Sequence, residues 1–379
     1  MGLALPAQPA GVVEENLDEL AELARSTGME VVGRSIQSRR SPDRRTLIGR
    51  GKVSEIARVA AEADADVVIF DDDLTPNQVK NLEEVIECAV IDRSALILDL
   101  FLRQARTREA RTQVELAQLE YQLPRLTRRW THLSRQVGGI GVRGGEGETQ
   151  LEADRRMLRT QIKQLRKALS KIERTRELHR RRRSGTPIVA LAGYTNAGKS
   201  TLFNCCTRAG VRAEKKLFAT LDSKLRKGFL GERATVIFVD TVGFIRKLPH
   251  HLVASFRSTL EEILRADLVL HVVDQSHPQW REHMEVGHTV LADLGVDMSR
   301  VLLVFNKMDR CPSETGAVRG GLAVSARTGE GVDRLKAHVR DRIFGHAGDE
   351  RLAGGKRGAR TDAPQQVSHV GSGRMLVDP

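Results

Sequence analysis

Two hydrophobic periodicities alternate along the first hundred residues. Stretches with an apolar residue at every third or fourth position predict helices at ELAELARS, VSEIARVAAEA and NQVKNLEEVIE. Denser apolar runs predict buried strands at MEVVGRSIQ, VVIFD and CAVIDRSALIL. Because helices and strands alternate, we predict a small N-terminal α/β domain with a largely parallel sheet over residues 1–100.

The spacing of apolar residues changes between residues 101 and 183. A helical pattern runs from Val114 to Leu126, where Pro124 predicts an end or a kink. After the Gly-rich stretch VGGIGVRGGEGETQ (137–150), heptad-like spacing predicts a coiled-coil seam. The seam residues are Leu151, Leu158, Ile162, Leu165, Leu169 and Ile172. We therefore predict an antiparallel helical hairpin with a Gly-rich tip.

The α/β pattern returns from residue 188 to residue 344. Apolar strands are predicted at PIVALAGY, ATVIFVD, DLVLHVVD, RVLLVFNK and GLAVSA, with helical stretches between them. This alternation predicts a second α/β domain with a mostly parallel sheet. Residues 345–379 are rich in Gly, Ala and Arg and almost lack apolar periodicity, so we expect a disordered tail there.

Positive charge is concentrated in the predicted hairpin. The whole chain has a net charge of +12, and the segment from Arg125 to Arg183 holds 18 Lys and Arg against 6 Asp and Glu. That segment accounts for the whole excess, and such a block is typical of proteins that bind a polyanion. Aromatic residues are only 4% of the chain, which argues against aromatic platforms as the main mode of RNA binding.

Composition also bears on location. No apolar run approaches the roughly 18 residues that span a bilayer, and the start MGLALPAQPAGVVEE lacks the basic region of a secretory signal. The four cysteines fit neither a zinc site nor a disulfide framework. We expect a cytoplasmic monomer without a membrane span, and a peripheral membrane association stays open.

The segment GYTNAGKS, Gly193 to Ser200, lies between an apolar strand and a helical stretch. That is the context in which the pattern GxxxxGK[ST] forms a phosphate-binding loop. The glycines let backbone N–H groups surround the phosphates at a helix N-terminus. We expect Lys199 to reach the β- and γ-phosphates and Ser200 to bind Mg²⁺ through its hydroxyl.

Asp240 ends the next apolar strand. Its carboxylate would hold Mg²⁺ directly or through water, and the Gly243 N–H would meet the γ-phosphate. The Mg²⁺-binding threonine of switch I must lie between Ser200 and Asp240. Of the candidates, Thr207 lies in the helix after the P-loop, too early to fold over the nucleotide, so we predict Thr220 for this role.

The sequence NKMD, Asn306 to Asp309, follows another apolar strand. A carboxylate there would accept hydrogen bonds from guanine N1–H and the 2-amino group, which adenine lacks, so Asp309 would select guanine. Asn306 would fix the loop and contact the base, and the Lys307 stem would pack over the ring. The backbone of SAR, Ser325 to Arg327, would touch the guanine oxygen. Four motifs at the strand ends of one α/β unit predict a guanine-nucleotide site.

Several longer stretches resemble one family. From about Leu47 to Phe344 the chain resembles the HflX family of ribosome-associated GTPases, at IGRGKVSEI (48–56), DLTPNQVKNLE (73–83), VIDRSALILDLF (90–101), QVELAQLEYQLPRL (113–126), GGIGVRGGEGETQLEADRR (138–156), LFATLD (217–222) and DTVGFIRKLPHHLV (240–253). The resemblance implies an N-terminal α/β domain, a helical hairpin and a Ras-like P-loop G domain. It also implies binding of GTP or GDP with Mg²⁺ and association with the large ribosomal subunit. Members are linked to splitting stalled or idle ribosomes under stress.

Motifs and resemblance together assign the site residues. Catalytic roles fall on Lys199, Thr220 and Gly243, and metal ligands on Ser200, Thr220 and Asp240. The nucleotide contacts fall on Gly193, Tyr194, Thr195, Asn196, Ala197, Gly198, Lys199, Ser200, Thr201, Phe218, Ala219, Thr220, Leu221, Asp222, Asp240, Thr241, Val242, Gly243, Asn306, Lys307, Met308, Asp309, Val324, Ser325 and Ala326.

The sequence departs from the family pattern in two places. Ser223, Lys224 and Leu225 follow LFATLD where the family commonly has a Pro or small residue, a Thr and a basic residue, which affects the expected path of switch I beyond Asp222. Many members have a small C-terminal domain, and residues 345–379 show no such pattern, so we expect it to be missing or degraded. ATP binding has been attributed to the N-terminal domain of some members, but IGRGKV lacks the Lys-Ser/Thr ending of a P-loop.

The resulting hypothesis is a Mg²⁺-dependent GTPase whose basic hairpin, residues 125–183, docks on the RNA of the large ribosomal subunit. GTP would hold the switches in the ribosome-bound form, and hydrolysis would release the protein. Phe244 stands where Ras-like GTPases commonly carry a water-orienting Gln, so we expect a low intrinsic rate and stimulation by ribosomes. Two alternatives stay open: a guanine-nucleotide sensor with negligible hydrolysis, and an RNA-binding protein in which nucleotide is peripheral.

Overall fold

The computed structural model of the protein describes residues 1–6, 8, 11–126, 150–181, 185–207, 218, 223–231, 234–247, 257–311 and 320–345. The helices are α1 (Val12–Ser26), α2 (Arg50–Glu62), α3 (Pro76–Ile86), α4 (Arg93–Gln104), α5 (Arg108–Gln122), α6 (Gln150–Arg181), α7 (Lys199–Thr207), α8 (Arg257–Leu264), α9 (Trp280–Asp293) and α10 (Val332–Phe344). The strands are β1 (Gly2–Ala4), β2 (Ile36–Ser38), β3 (Val67–Phe70), β4 (Ala89–Asp92), β5 (Ile188–Ala192), β6 (Lys224–Phe229), β7 (Thr235–Asp240), β8 (Leu268–Asp274), β9 (Val301–Asn306) and β10 (Leu322–Ala323).

The N-terminal domain contains two parallel strand pairs, β1 with β2 and β3 with β4. Met1 connects the pairs, because its amino group donates to the Ile69 carbonyl at 2.7 Å and its carbonyl accepts from the Asp71 N–H at 2.9 Å. Parallel pairing is as predicted. The strand predicted at MEVVGRSIQ is shorter than expected, since only its last two residues belong to β2, and β1 was not predicted.

The strand prediction for CAVIDRSALIL is wrong in its second half. The strand ends at Asp92, and α4 begins with the next residue. The Asp92 carboxylate accepts a hydrogen bond from the Ala95 N–H at 2.9 Å and so caps the first turn of the helix. The helix continues to Gln104 and crosses the predicted domain boundary at residue 100.

Helices α5 and α6 form the described part of the hairpin. A guanidinium nitrogen of Arg166 lies 2.7 Å from Glu120 Oε1, whereas Arg155 donates to the Leu126 carbonyl at 3.3 Å. Glu120 of α5 therefore pairs with the later α6 residue Arg166, whereas Leu126, beyond the end of α5, contacts the earlier residue Arg155, as an antiparallel arrangement requires. The α6 seam faces inward, with Ile162 buried, and α5 ends before Pro124 as predicted. Of the predicted tip, only Gln150 is among the described residues.

The second α/β domain, predicted to be a G domain, contains a six-stranded sheet in the order β10-β9-β8-β5-β7-β6 within the described ranges. Only β6 pairs antiparallel to its neighbour, so the sheet is mostly parallel as predicted. The carboxyl ends of the parallel strands meet at one edge of the sheet, where ligands bind in this architecture. Of the predicted disordered tail, only Gly345 is described. No described helix is long and apolar enough to cross a membrane.

Candidate active site

The predicted P-loop connects β5 to α7, and two of its glycines are required by their surroundings. Gly193 has φ +140°, and a Cβ on it would lie 2.2 Å from the Val272 carbonyl oxygen. Gly198 has φ +91°, and a Cβ there would lie 2.2 Å from Asn306 Nδ2. Both positions have backbone conformations that side-chain-bearing residues rarely adopt. The loop therefore packs directly against the strands that carry the other motifs.

Lys199 is the first residue of α7, and its ammonium group is buried within the loop. Its Nζ donates to the carbonyl oxygens of Gly193 at 3.0 Å and Tyr194 at 2.7 Å. Burial lowers the pKa of Lys199 from 10.5 to about 8, although the nearby Asp240 carboxylate acts in the opposite direction. The ammonium group lies at the point where the loop would surround phosphate groups.

The side chains of Ser200 and Asp240 are in contact, as two ligands of one metal ion would be. The Ser200 hydroxyl donates to Asp240 Oδ2 at 2.7 Å, and the Asp240 side chain is fully buried at the end of β7. A hydroxyl and a carboxylate are the hard oxygen donors that Mg²⁺ prefers. These two predicted ligands are therefore close enough to share one ion. The third, Thr220, lies outside the described residues, together with Ala219, Leu221 and Asp222.

The segment after β7 lies against the P-loop. Phe244 N–H donates to the Gly193 carbonyl at 3.0 Å, and Thr195 N–H donates to the Phe244 carbonyl at 2.8 Å. A Cβ on Gly243 would lie 2.8 Å from the Thr195 Cα and 3.0 Å from Lys199 Nζ, so only glycine fits at this approach. The predicted γ-phosphate contact at Gly243 is thus next to the P-loop lysine.

The Phe244 side chain points into the apolar core below the loop. It is 2% exposed and packs in a cluster with Ala192, Tyr194, Ile263 and Val269. An apolar ring in that position has no hydrogen-bonding group with which to orient a water molecule. Its role is to fasten the segment after β7 to the sheet.

The predicted base-recognition motifs converge at the ends of β9 and β10. Asn306 Nδ2 donates to the Ala197 carbonyl at 2.9 Å, and Asn306 Oδ1 accepts from the Ala326 N–H at 2.9 Å. One side chain therefore ties the P-loop to both base-recognition loops. The Met308 N–H donates to the Val324 carbonyl at 3.3 Å, which joins the same two loops.

The carboxylate predicted to select guanine is held by the Ser325 side chain, whereas the sequence predicted only a backbone contact for Ser325. Asp309 Oδ1 accepts from the Ser325 hydroxyl at 2.7 Å. Lys307 Nζ lies 2.7 Å from Asp274 Oδ2, an ion pair that anchors the predicted base-covering stem. Asp274 was missed. Its position at the end of β8 was the available signal, because ligand-site residues concentrate at such ends.

The structure also places the N-terminal domain against this site. Tyr194 Oη is 2.5 Å from Glu19 Oε1 and accepts from the Arg246 N–H at 3.0 Å. Burial, and then the Glu19 carboxylate, raise the pKa of Tyr194 well above its ordinary value, so the phenol stays neutral. The Tyr194 ring also stacks on His283 with 3.9 Å between centroids. None of these links was predicted, because Glu19 is 175 residues away in sequence.

Polar contacts close a ring around this junction, which we call the polar ring. Its members are Glu19, Asp71, Arg93, Tyr194, the backbone N–H of Arg246, and Lys247. Arg93 contacts Glu19 at 2.5 Å and Asp71 at 2.8 Å, and Lys247 contacts Asp71 at 2.5 Å. Because Arg246 and Lys247 are consecutive, the chain of contacts returns to its start. These contacts join the predicted P-loop, the segment after β7 and the N-terminal domain.

Comparison with known proteins gives matches along most of the chain. Three family models match, described as "GTP-binding GTPase N-terminal" over residues 14–102, "GTP-binding GTPase Middle Region" over 104–183 and "50S ribosome-binding GTPase" over 188–307. A GTP-binding protein of Sulfolobus solfataricus, solved with GDP, covers 91% of this chain and 99% of its own at 21% identity and a TM-score of 0.45.

Curated relatives are closer in sequence. GTPase HflX of Escherichia coli is 44% identical over 347 residues, which are 89% of this chain and 81% of that protein. GTPase HflX of Magnetococcus marinus is 50% identical over 338 residues, 87% of this chain and 78% of that protein. With such identity over most of its length, and with the nucleotide motifs brought together as described, this chain belongs to the HflX family of GTPases.

Proposed function

We propose that this GTPase requires Mg²⁺ and couples its nucleotide state to binding of the large ribosomal subunit. The observation that carries the proposal is that Phe218 of the predicted switch I and residues of the segment after β7 lie inside the hydrophobic core of the N-terminal domain. Phe218, Val242 and Ile245 share one buried cluster with residues of α1, α4 and α5. The Phe218 ring meets the Phe101 ring edge-on, with 4.7 Å between centroids.

This packing connects the predicted nucleotide site to the hairpin through only a few residues. Val242 and Ile245 flank Gly243, the predicted γ-phosphate contact. Val114 and Ala117 of the same cluster belong to α5, which is the first arm of the hairpin. Packed cores change by discrete rearrangement and do not deform continuously. A shift of the segment around Gly243 on binding GTP would therefore change how α5 packs against the N-terminal core.

The charge of the hairpin supports ribosomal RNA as its partner. The segment 125–183 carries the whole positive excess of the chain. Outward-facing positions of α6 include the exposed Arg156, Arg159, Lys163, Lys167 and Lys171. Cations spaced along one helix bind phosphates in a way that depends on salt. The matched model over residues 188–307, described as a ribosome-binding GTPase, supports the same partner.

The residues of the site have distinct expected roles in hydrolysis. Lys199 stabilises charge on the β- and γ-phosphates, Gly243 N–H binds the γ-phosphate, and Ser200 with Asp240 would hold Mg²⁺, which when bound neutralises phosphate charge. Phe244, which stands where Ras-like GTPases commonly carry the water-orienting Gln, is apolar and buried and does not supply that function. Hydrolysis by the isolated protein should therefore be slow. We propose that docking on the large subunit completes the site.

The test is the rate of GTP hydrolysis against the concentration of purified large subunits. We expect a saturable rise of about tenfold or more, since groups supplied in trans raise GTPase rates by about 10³–10⁵ in other systems. Small subunits at the same concentrations are the control, and Lys199→Ala should remove both the basal and the stimulated rates. A rate that does not change with large subunits would contradict the proposal.

A second candidate function is a guanine-nucleotide sensor with negligible hydrolysis, which the burial of Phe244 favours. Absence of turnover together with subunit binding that differs between GDP and a non-hydrolysable GTP analogue would identify it. Subunit binding that is equal with both nucleotides would instead indicate an RNA-binding protein with peripheral nucleotide. Within the main proposal, the biological role is splitting or rescue of ribosomes under stress. Sucrose-gradient analysis of ribosomes incubated with the protein and GTP measures the splitting.

A further inference from the structure

Strand β6 forms an open edge of the G-domain sheet. It pairs with β7 from Lys224 opposite Asp240 to Phe229 opposite Thr235. No strand of the described residues pairs with its other side. On one face of β6, Gly228 fits against the Phe238 ring, since a Cβ would lie 2.5 Å from it. Lys227 and Phe229 point to the opposite face, because neighbouring side chains alternate along a strand.

The exposed side chains of this edge are basic, with one aromatic ring. Arg226 and Lys227 are exposed, and Lys224 is half-buried. Phe229 is 70% exposed, the highest fraction among the exposed large hydrophobic side chains of the described residues. None of the three cations forms an ion pair with a carboxylate in the described ranges. We call Lys224, Arg226, Lys227 and Phe229 the basic edge.

The basic edge is adjacent to the catalytic centre. Lys224 lies opposite Asp240, whose carboxylate contacts Ser200 at 2.7 Å. The strand also follows directly after residues 218–222, where switch I is predicted. A partner bound along β6 would therefore contact the chain immediately after the predicted switch I. The hairpin reaches the nucleotide site by another route, through the α5 residues that share a buried cluster with Val242 and Ile245.

We propose that the basic edge is a second RNA-docking surface, distinct from the hairpin, through which ribosomal RNA promotes hydrolysis. Lys227, on the same face as Phe229, would bind a backbone phosphate beside the unpaired base that stacks on the Phe229 ring, and Arg226 on the other face would bind a second phosphate at the open edge. Cations beside an exposed ring are the combination that recognises single-stranded RNA. An acidic peptide would use the cations and the open strand edge but would leave the ring without a stacking partner. The inference rests on the proposed ribosome-stimulated GTPase and identifies the surface that carries the stimulation.

The main experiment compares two charge reversals of equal size. Arg226→Glu with Lys227→Glu changes the basic edge, and Arg334→Glu with Arg342→Glu changes exposed arginines of α10, which follows the strand at the opposite edge of the sheet. The measured quantity is the ratio of GTPase rates with and without saturating large subunits, so changes in basal rate cancel. Cosedimentation reports binding to subunits separately.

We expect the ratio of GTPase rates with and without large subunits to be roughly tenfold lower in the basic-edge variant than in the wild type, because two phosphate contacts are replaced by repulsion. Its affinity for subunits should fall by less, about threefold, since most phosphate contacts belong to the hairpin. The α10 variant should keep the wild-type ratio. Equal stimulation of wild type and basic-edge variant would overturn the inference. Absence of stimulation in the wild type would overturn both this inference and the function on which it rests.

The ring is tested by conservative substitution and by crosslinking. Phe229→Tyr should keep the stimulation and Phe229→Leu should lose it, because leucine is apolar but cannot stack on a base. A photoreactive side chain introduced as Phe229→p-benzoylphenylalanine should crosslink to ribosomal RNA in the complex. Crosslinks only to a ribosomal protein, or to a second copy of this chain, would overturn the assignment of RNA as the occupant. Equal stimulation of the Tyr and Leu variants would overturn the stacking role of Phe229.

Discussion

Lys199 has to be charged to act on phosphate, yet the loop in which it lies disfavours the charge. Its ammonium group is buried and satisfied by two backbone carbonyls. Burial lowers its pKa to about 8. The bound phosphates would supply negative charge at that position and so favour the protonated form. Nucleotide binding and protonation of Lys199 should therefore be linked.

We expect nucleotide affinity to decrease as pH rises above about 8, since free Lys199 then loses its proton and binding must restore it. Calorimetry of GDP binding at pH 8.5, in two buffers with different ionisation enthalpies, should show net proton uptake. Uptake should be much smaller at pH 7, where the free lysine is already protonated. The variant Lys199→Met is the control, and uptake that persists in it would assign the proton to another group.

Phe244 occupies the sequence position of a water-orienting Gln, but in the fold its role is structural. In the sequence it marks the absence of a water-orienting group. In the structure it is a buried anchor whose backbone bonds Gly193 and Thr195. Replacing it with Gln would therefore place an amide in an apolar cluster and would not by itself supply the missing function. The missing group has to come from elsewhere, which is consistent with activation by a partner.

At the scale of elements, local signals predicted most of the G domain because each motif stands at the end of a buried strand. The same reasoning failed at CAVIDRSALIL. Its apolar run suits a strand, and what decides the structure is one capping carboxylate, Asp92, that starts α4. Asp92 also accepts hydrogen bonds from Tyr121 at 2.8 Å and Arg125 at 3.1 Å. Those contacts come from the hairpin and are invisible to a local pattern.

Two helical glycines should respond to alanine in opposite directions. Gly287 of α9 faces the buried His271, and a Cβ would lie 2.3 Å from its Nε2. We expect Gly287→Ala to lower the free energy of unfolding by about 1–3 kcal/mol, since the enclosed imidazole has little room to move. Gly51 in α2 has nothing within 4 Å of the same position, so Gly51→Ala should raise the free energy of unfolding by about 0.5 kcal/mol through backbone entropy.

Chemical denaturation of both alanine variants and of the wild type measures the two changes in the free energy of unfolding. His271 itself stays neutral near physiological pH, because burial lowers its pKa to about 3. The clash is therefore steric, and its size should not change between pH 6 and pH 8. If Gly287→Ala were as stable as the wild type, the packing of α9 on β8 described for this fold would be wrong.

At the scale of the whole molecule, the sequence predicted the parts but not how they are joined. The order of motifs predicted a nucleotide site, and the charge of residues 125–183 predicted an anionic partner. The polar ring depends on pairs such as Lys247 with Asp71, which are 176 residues apart. No periodicity in either segment indicates such a pairing. The contact between the nucleotide site and the N-terminal domain is thus a property that only the assembled fold shows.

The two tyrosines of the chain provide a matched test of that coupling. Tyr194 and Tyr121 each direct a largely buried hydroxyl to a carboxylate, of Glu19 and Asp92 respectively, but only Tyr194 belongs to the polar ring. Each Tyr→Phe change should cost about 1.5–3 kcal/mol of stability, as expected for a hydrogen bond to a charged group. Tyr194→Phe opens the ring between the P-loop and α1, whereas Tyr121→Phe leaves it closed.

The decisive quantity is the ratio of dissociation constants for large subunits with GDP and with a non-hydrolysable GTP analogue. In the wild type and in Tyr121→Phe this ratio should be clearly different from one, since in the proposed function the nucleotide state acts on the hairpin through the N-terminal core. In Tyr194→Phe it should move toward one, because the P-loop no longer holds Glu19. If Tyr194→Phe kept the wild-type ratio, the polar ring would stabilise the domain junction without carrying the nucleotide signal, and Val242 with Ile245 alone would have to carry it.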